Sequence, residues 1–235
     1  MILENENISQ EDQSIIQELL EENPDLKMTY KIKSPKFALK ANQRRELLEI
    51  AKEQNYKHYL MILAQLELGL RVNELANLSI DSINFNEGLV TIQTRTATKY
   101  LKSFNTKTIT SNRIIPIPKS LNSELRAYIG SRKTGYVFES NKLGPFLKNS
   151  IIGFINKYTD QSKSIICRRG VNGKKTMGSH VLRRTYASFL INNKIPIEKI
   201  SKLLGHGSIR TTMMYLFDIN DLDFDDVKKI LNKMN

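Results

Sequence analysis

The segment Tyr56–Leu68 constrains the fold more than any other stretch of this chain. Tyr59, Leu60, Ile62, Leu63 and Leu66 make it the most apolar helical pattern present, suited to a core helix surrounded by other elements. Gly69 is a natural stop for such a helix. Arg71 follows two residues later and opens a short helix over Val72–Asn77. A helix from Asn42 to Gln54, with Leu47, Leu48, Ile50 and Ala51 facing inward, precedes the buried one.

Strand patterns come next. Ile83–Phe85, a turn at Asn86-Glu87-Gly88 and Leu89–Arg95 read as a hairpin. Arg113–Ile117 reads as a third strand, limited by Pro116 and Pro118. Between the second and third strands lies a polar, basic stretch from Thr96 to Asn112. Helices resume with Ser120 as a cap and an end near Ile129, then over Pro145–Tyr158. A loop over 159–178 carries Lys163, Arg168, Arg169, Lys174 and Lys175; loops of that length are often functional. Further helices read at about 180–193, 197–204 and 208–217. Phe224, Val227, Ile230, Leu231 and Met234 lie at helical spacing in the tail. The expected class is α+β, mainly α, with a small three-stranded antiparallel sheet.

The 235 residues carry 36 basic and 24 acidic side chains, a formal charge of +12. The charge is uneven. Residues 1–25 hold eight acids and no Lys or Arg, so the remainder has a net charge of +20. That excess points to a polyanionic partner. The first 36 residues read as a separate acidic segment: Ser9 and Asp12 resemble a capping box, and Ile15, Ile16, Leu19 and Leu20 share a helical face. A weakly packed solvated helix and a mask for the basic surface are equally good readings of it. One cysteine, Cys167, leaves no internal disulfide and fits a reducing, cytoplasmic compartment. Three histidines and that cysteine, far apart, give no zinc spacing. No apolar run approaches a membrane span, and neither phosphate-binding glycine motif occurs.

The candidate chemistry sits between Gly178 and Tyr215. His180 and Arg183 are three apart and share a helix face. His206 stands between Gly205 and Gly207, with Ser208 as a cap for the helix that would carry Tyr215. Each feature alone is weak: most H-x-x-R pairs are surface pairs, and most helical tyrosines pack.

Together they resemble a known family. The segments LELGLRVNELANLSIDSI, TKTITSNRIIPIP, SHVLRRTYASFL and LLGHGSIRTTMMY are similar, in order, to those of tyrosine recombinases of the phage integrase family. The resemblance spans about residues 38–220 and implies that family's catalytic domain, helices around a small three-stranded sheet, over 37–235. It implies that Tyr215 attacks a DNA phosphate to form a 3′-phosphotyrosyl link. Arg71 and Arg183 then hold the non-bridging oxygens, Lys107 protonates the leaving oxygen, His180 assists proton transfer and His206 stabilises the transition state. Arg95, Lys99 and Lys102 compete with Lys107, which is preferred because Lys-Thr shortly before Arg-Ile-Ile-Pro fits the family pattern. His58, in the apolar helix, reads as structural.

The allocation is chemically sound. Attack on a phosphodiester builds negative charge on oxygens, which preorganised cations stabilise. Guanidinium forks match phosphate and keep their charge, whereas a lysine of lowered pKa can give up a proton. A tyrosine, with pKa near 10, needs cations and a base nearby to attack at neutral pH. No metal, ATP or other cofactor is expected. Expected partners are double-stranded DNA and further copies of the chain, as a tetramer on DNA, with the tail helix docked on a neighbour or packed in cis. The rivals are a type IB topoisomerase-like relaxing enzyme and a non-catalytic DNA-binding regulator. The short acidic segment before residue 37 cannot supply the core-binding domain of the family, so the chain reads as a fragment or a minimal enzyme with half a clamp.

Overall fold

The computed structural model describes residues 38–93, 112–140, 144–167, 173–206 and 212. They belong to one unit, Phe37–Asn235. Seven helices are described: α1 Ala41–Gln54, α2 Tyr56–Leu68, α3 Val72–Ala76, α4 Lys119–Ile129, α5 Lys148–Gln161, α6 His180–Asn192 and α7 Ile197–Leu204. The strands are β1 Ile83–Asn84, β2 Leu89–Ile92 and β3 Arg113–Pro116.

Helix α2 is the axis of the core, as its composition requires. Every residue from Tyr59 to Leu66 is buried, and α1, α3, α4 and α6 all pack against it. Asn55 caps its start by accepting from the His58 N–H at 3.1 Å. Gly69 ends it in the left-handed conformation, φ +61°. That position is doubly restricted, because a Cβ there would come within 2.3 Å of the Tyr186 ring on α6. His58 lies at the joint of α2 and α5. It stacks on Phe154 with ring centres 4.0 Å apart, and its Nδ1 is 2.7 Å from the Tyr158 hydroxyl.

The sheet is antiparallel in the order β1-β2-β3. Val90 pairs with Ile83 on one side and Ile115 on the other, and Ile92 pairs with Arg113. In β3, Arg113 and Ile115 point inward while Ile114 and Pro116 point out, the alternation that a strand imposes. One inward position is therefore charged.

Several element ends differ from the sequence reading. Strand β1 stops at Asn84 rather than Phe85, because the Asn84 side chain accepts from the N–H groups of Asn86 and Glu87, each at 3.1 Å, and starts the turn. Strand β2 ends at Ile92, with Gln93 already outside it, rather than running to Arg95, and β3 ends at Pro116 rather than Ile117. Ser120 is not the cap of α4. Pro118 takes that place with an extended backbone and accepts from the Asn122 N–H at 2.9 Å, so Ser120 falls in the first turn. Helix α5 begins at Lys148 rather than Pro145, because Pro145 is held in a bridge to Glu139, and it runs on to Gln161. The loop before α6 is shorter by that turn. The helical readings at the N-terminus, over 208–217 apart from the helical Thr212, and in the tail lie outside the described residues, as do Arg95, Lys99, Lys102, Lys107 and Tyr215.

Candidate active site

The end of α2 delivers Arg71. Gly69 turns the chain, and Arg71 becomes the residue before α3. Its backbone N–H donates to Glu74 Oε2 at 2.7 Å. A glutamate three residues into a helix commonly reaches back in this way. Here its carboxylate does more than cap. Glu74 Oε1 accepts from Arg71 Nη1 at 2.8 Å and from Arg113 Nη1 at 2.9 Å. Oε2 also accepts from Arg113 Nη2 at 2.7 Å and lies 4.0 Å from Arg183 Nη1. One carboxylate thus gathers three guanidinium groups from α3, β3 and α6.

The same three arginines close the C-terminus of α7. Arg113 Nε donates to Leu203 O at 2.6 Å, Arg183 Nη2 donates to Leu204 O, and Arg71 Nη2 donates to Gly205 O at 2.8 Å. Consecutive carbonyls at a helix end lack partners in their own helix and carry the negative end of its dipole. Cations are the natural partners for them. Gly205 ends α7 at φ +63°, and a Cβ on it would lie 2.9 Å from Arg113 Nη1. Arg183 Nη1 also donates to Gly69 O at 2.5 Å, which ties α6 back to the end of α2.

His206 follows directly. Its backbone N–H donates to Ser201 O, and its Nδ1 is 2.8 Å from the hydroxyl of the buried Thr212. Burial, followed by the charges of Arg183, Arg71 and Arg113, lowers its pKa to about 4, so the ring is neutral at pH 7. His180 opens α6 one turn before Arg183. Partial burial and the charges of Arg183, Arg184, Lys148 and Arg71 lower its pKa as well. Glu74 goes the opposite way for its class. Burial would raise it, but the hydrogen bonds and charge of Arg113, then those of Arg71, hold it at about 2.

Arg71 and Arg183 thus meet at the Glu74 carboxylate, and both His206 and His180 feel the charge of the two arginines. Lys107 and Tyr215 lie outside the described residues; Arg113 begins the strand that follows the Lys107 segment, and Thr212 precedes Tyr215 by three positions. Arg71 is the most open of the three guanidinium groups, its side chain 37% exposed against 5% for Arg113 and 3% for Arg183. An open cleft of about 550 Å³ beside His206 is lined by Arg113, Lys199, Lys202 and Gly205 among others.

Glu74 and Arg113 were not among the sequence candidates. Arg113 left a legible signal: the alternation with Ile115 puts its charge on the inner face, and a buried charge requires a partner. Glu74 left a fainter one, as an acid three residues after Arg71. Among the described residues no group of three or more His, Cys, Asp or Glu could hold a metal ion, and no helix is long and apolar enough to cross a membrane.

The phage integrase family profile matches residues 38–219. A tyrosine recombinase of Pseudothermotoga lettingae is 30% identical over 203 residues, 85% of this chain and 62% of that protein. Tyrosine recombinase XerA of Thermococcus kodakarensis is 28% identical over 76% of this chain and 57% of its own length. The chain therefore spans about three-fifths of these relatives. Among solved structures, a XerA recombinase crystal structure superposes with a TM-score of 0.63 at 22% identity, over 88% of this chain and 67% of that one. The Tn1549 transposon integrase in complex with transposon right end DNA gives 0.66 at 20% identity, over 86% and 67%. These two likenesses show the fold.

Proposed function

Because the chain belongs to the phage integrase family, we propose that it is a site-specific DNA recombinase that cleaves and rejoins strands through a covalent 3′-phosphotyrosine. One observation carries the reading. Among the described residues, three guanidinium groups surround the Glu74 carboxylate next to a neutral histidine. Such a cluster suits a ligand that gains negative charge as it reacts.

In this reading Tyr215 Oη attacks phosphorus, the bond to the 5′ oxygen breaks, and the nucleotide stays on the enzyme as a 3′-phosphotyrosine. His180 assists removal of the tyrosine proton, and Lys107 supplies the proton that the 5′ oxygen takes up. Arg71 and Arg183 face the non-bridging oxygens. Each Nη nitrogen carries two N–H groups, so one nitrogen can serve a main-chain carbonyl and a phosphate oxygen together. The Thr212 hydroxyl lies 2.8 Å from Nδ1; in the tautomer in which it donates there, His206 carries its proton on Nε2 and acts as a neutral donor to the phosphate. Reversal by the 5′-hydroxyl of another strand rejoins the DNA without ATP, metal or cofactor.

We assign this chemistry to residues 37–235 and treat 1–36 as an acidic appendage. The expected partners are double-stranded DNA and further copies of the chain, up to a tetramer on the DNA, at cytoplasmic DNA. If the appendage masks the basic surface, deleting it tightens DNA binding at low salt; unchanged affinity removes the masking role. DNA affinity itself should fall steeply with salt.

The deciding experiment offers a pool of nicked, sequence-randomised duplexes to the wild type and to Tyr215→Phe. Denaturing electrophoresis should show a covalent adduct with the wild type alone. An adduct that survives Tyr215→Phe overturns the nucleophile. No adduct with either protein favours a DNA-binding regulator, and relaxation of supercoiled plasmid without recombination favours the topoisomerase-like rival.

A further inference from the structure

We propose that Arg113 is a positioning residue for strand cleavage, one that balances the charge of Glu74 so that Arg71 and Arg183 remain available to the phosphate. The inference rests on the strand-transfer function proposed above.

Arg113 is enclosed, its side chain only 5% exposed. Its Nη1 and Nη2 form a fork on Glu74 at 2.9 and 2.7 Å, and its Nε is committed to Leu203 O. Both of its Nη groups donate to the Glu74 carboxylate, which sets it apart from Arg71 and Arg183, each with an Nη on a main-chain carbonyl. Its effect passes through Glu74. That carboxylate touches Arg71 through both the backbone N–H and Nη1 and stands 4.0 Å from Arg183. It must remain close, because it orients Arg71. An uncompensated carboxylate at those distances would compete with a phosphate for the same two arginines. The fork on Arg113 satisfies the carboxylate from the far side, so Glu74 can orient Arg71 without neutralising it. Gly205 gives the guanidinium room, since a Cβ there would press on Nη1 and Cδ.

A residue that merely held β3 in place would leave a different record in a double substitution. Losing Arg113 exposes the Glu74 charge to Arg71 and Arg183, and replacing Glu74 by glutamine removes that charge. The second change should therefore repair part of the damage from the first. In a purely structural account it adds damage.

The test uses the whole chain and the same nicked-duplex pool, with single-turnover cleavage and equilibrium DNA affinity measured separately. Arg113→Gln should cleave about 100-fold more slowly, the scale of losing one transition-state contact, with affinity within about threefold of the wild type. Adding Glu74→Gln to Arg113→Gln should recover about tenfold of the cleavage rate, a coupling that only interacting sites show. Arg113→Lys, which keeps the charge, should stay within about tenfold of the wild type. Cleavage by Arg113→Gln at the wild-type rate, or a double variant no faster than the single one, overturns the inference. If thermal unfolding shows that Arg113→Gln does not fold, Arg113→Lys decides: a loss within the stated limit supports charge balance, and a deeper loss overturns it. Absence of any wild-type adduct sinks the strand-transfer reading and this inference with it. A wild-type adduct with an unimpaired Arg113→Gln sinks the inference alone.

Discussion

Glu46 on α1 and Glu74 on α3 are both held at a pKa of about 2, by different means. Glu46 is held chiefly by the Ser164 hydroxyl. The Ser162 hydroxyl at 2.8 Å and the Lys163 and Ser164 N–H groups at 2.6 and 3.0 Å add to this. These neutral donors pin the segment after α5 and leave the negative charge of Glu46 in place. Glu74 is held by guanidinium ions that outnumber it. Hydrogen bonding alone keeps a carboxylate ionised and fixes a loop, whereas an excess of cations also creates a positive point suited to an anion. The first arrangement fixes a segment of the chain; the second is the one to which the proposed function assigns chemistry.

The sharpest way to break this contrast is Glu74→Gln. It leaves the enclosed Arg113 without its counter-ion, which should cost about 3–5 kcal/mol of stability in denaturant unfolding. A loss below about 1 kcal/mol, the scale of a surface pair, would mean that the cluster is no more than a solvated ion-pair network. Gly205→Ala comes next. It meets Arg113 and forces a positive φ on a side chain, for a cost of about 1–3 kcal/mol; cleavage should fall with it, because the Leu203–Gly205 carbonyls move relative to the arginines.

Acid separates the groups by pH. His206 titrates near 4 in the folded chain and near 6.5 when unfolded. The unfolded state binds the proton first, so stability is full above about pH 6.5 and declines as the pH falls towards 4. His58 and His180 are lowered as well and push in the same direction. The two carboxylates act later: their contribution is present above their ordinary value of 4.5 and is lost as the pH falls towards 2. Thermal melts at stepped pH should show both declines, and His206→Gln should flatten the upper one. An unchanged upper decline would show that His206 is not the responsible group.

The smallest expected effect is that of Glu46→Gln, about 1 kcal/mol, the net worth of exchanged hydrogen bonds in a partly exposed setting. Single-turnover cleavage should be unchanged. A cleavage defect as large as the one expected of Arg113→Gln would erase the distinction between the two carboxylates.

Patterning revealed the elements where one force dominates. Helix α2 could be read because its apolar residues leave it no place but the interior, and Gly69 because the chain must turn there. Arg71, Arg183 and His206 were legible through local spacing and family likeness: Arg71 before a helix start, His206 beside a glycine, and Arg183 three residues after His180. The element ends that moved, at Asn84, Pro118 and Pro145, turned on single contacts: a side chain accepting two N–H groups, a proline carbonyl in the cap, and a bridge across a turn. Periodicity averages over such contacts and does not see them.

By itself the sequence determined the helical core, the hairpin, the basic excess and the residue types suited to phosphate chemistry. Only the tertiary structure decided that Arg71, Arg113 and Arg183 converge on Glu74 and on three successive carbonyls of α7. Hydrophobic periodicity acts within one element, and its sign is visible in a short window of sequence. A charge cluster depends on distances between elements more than 100 residues apart, such as the 2.5 Å from Arg183 to Gly69 O. Those distances exist only once the core around α2 has set where each helix ends.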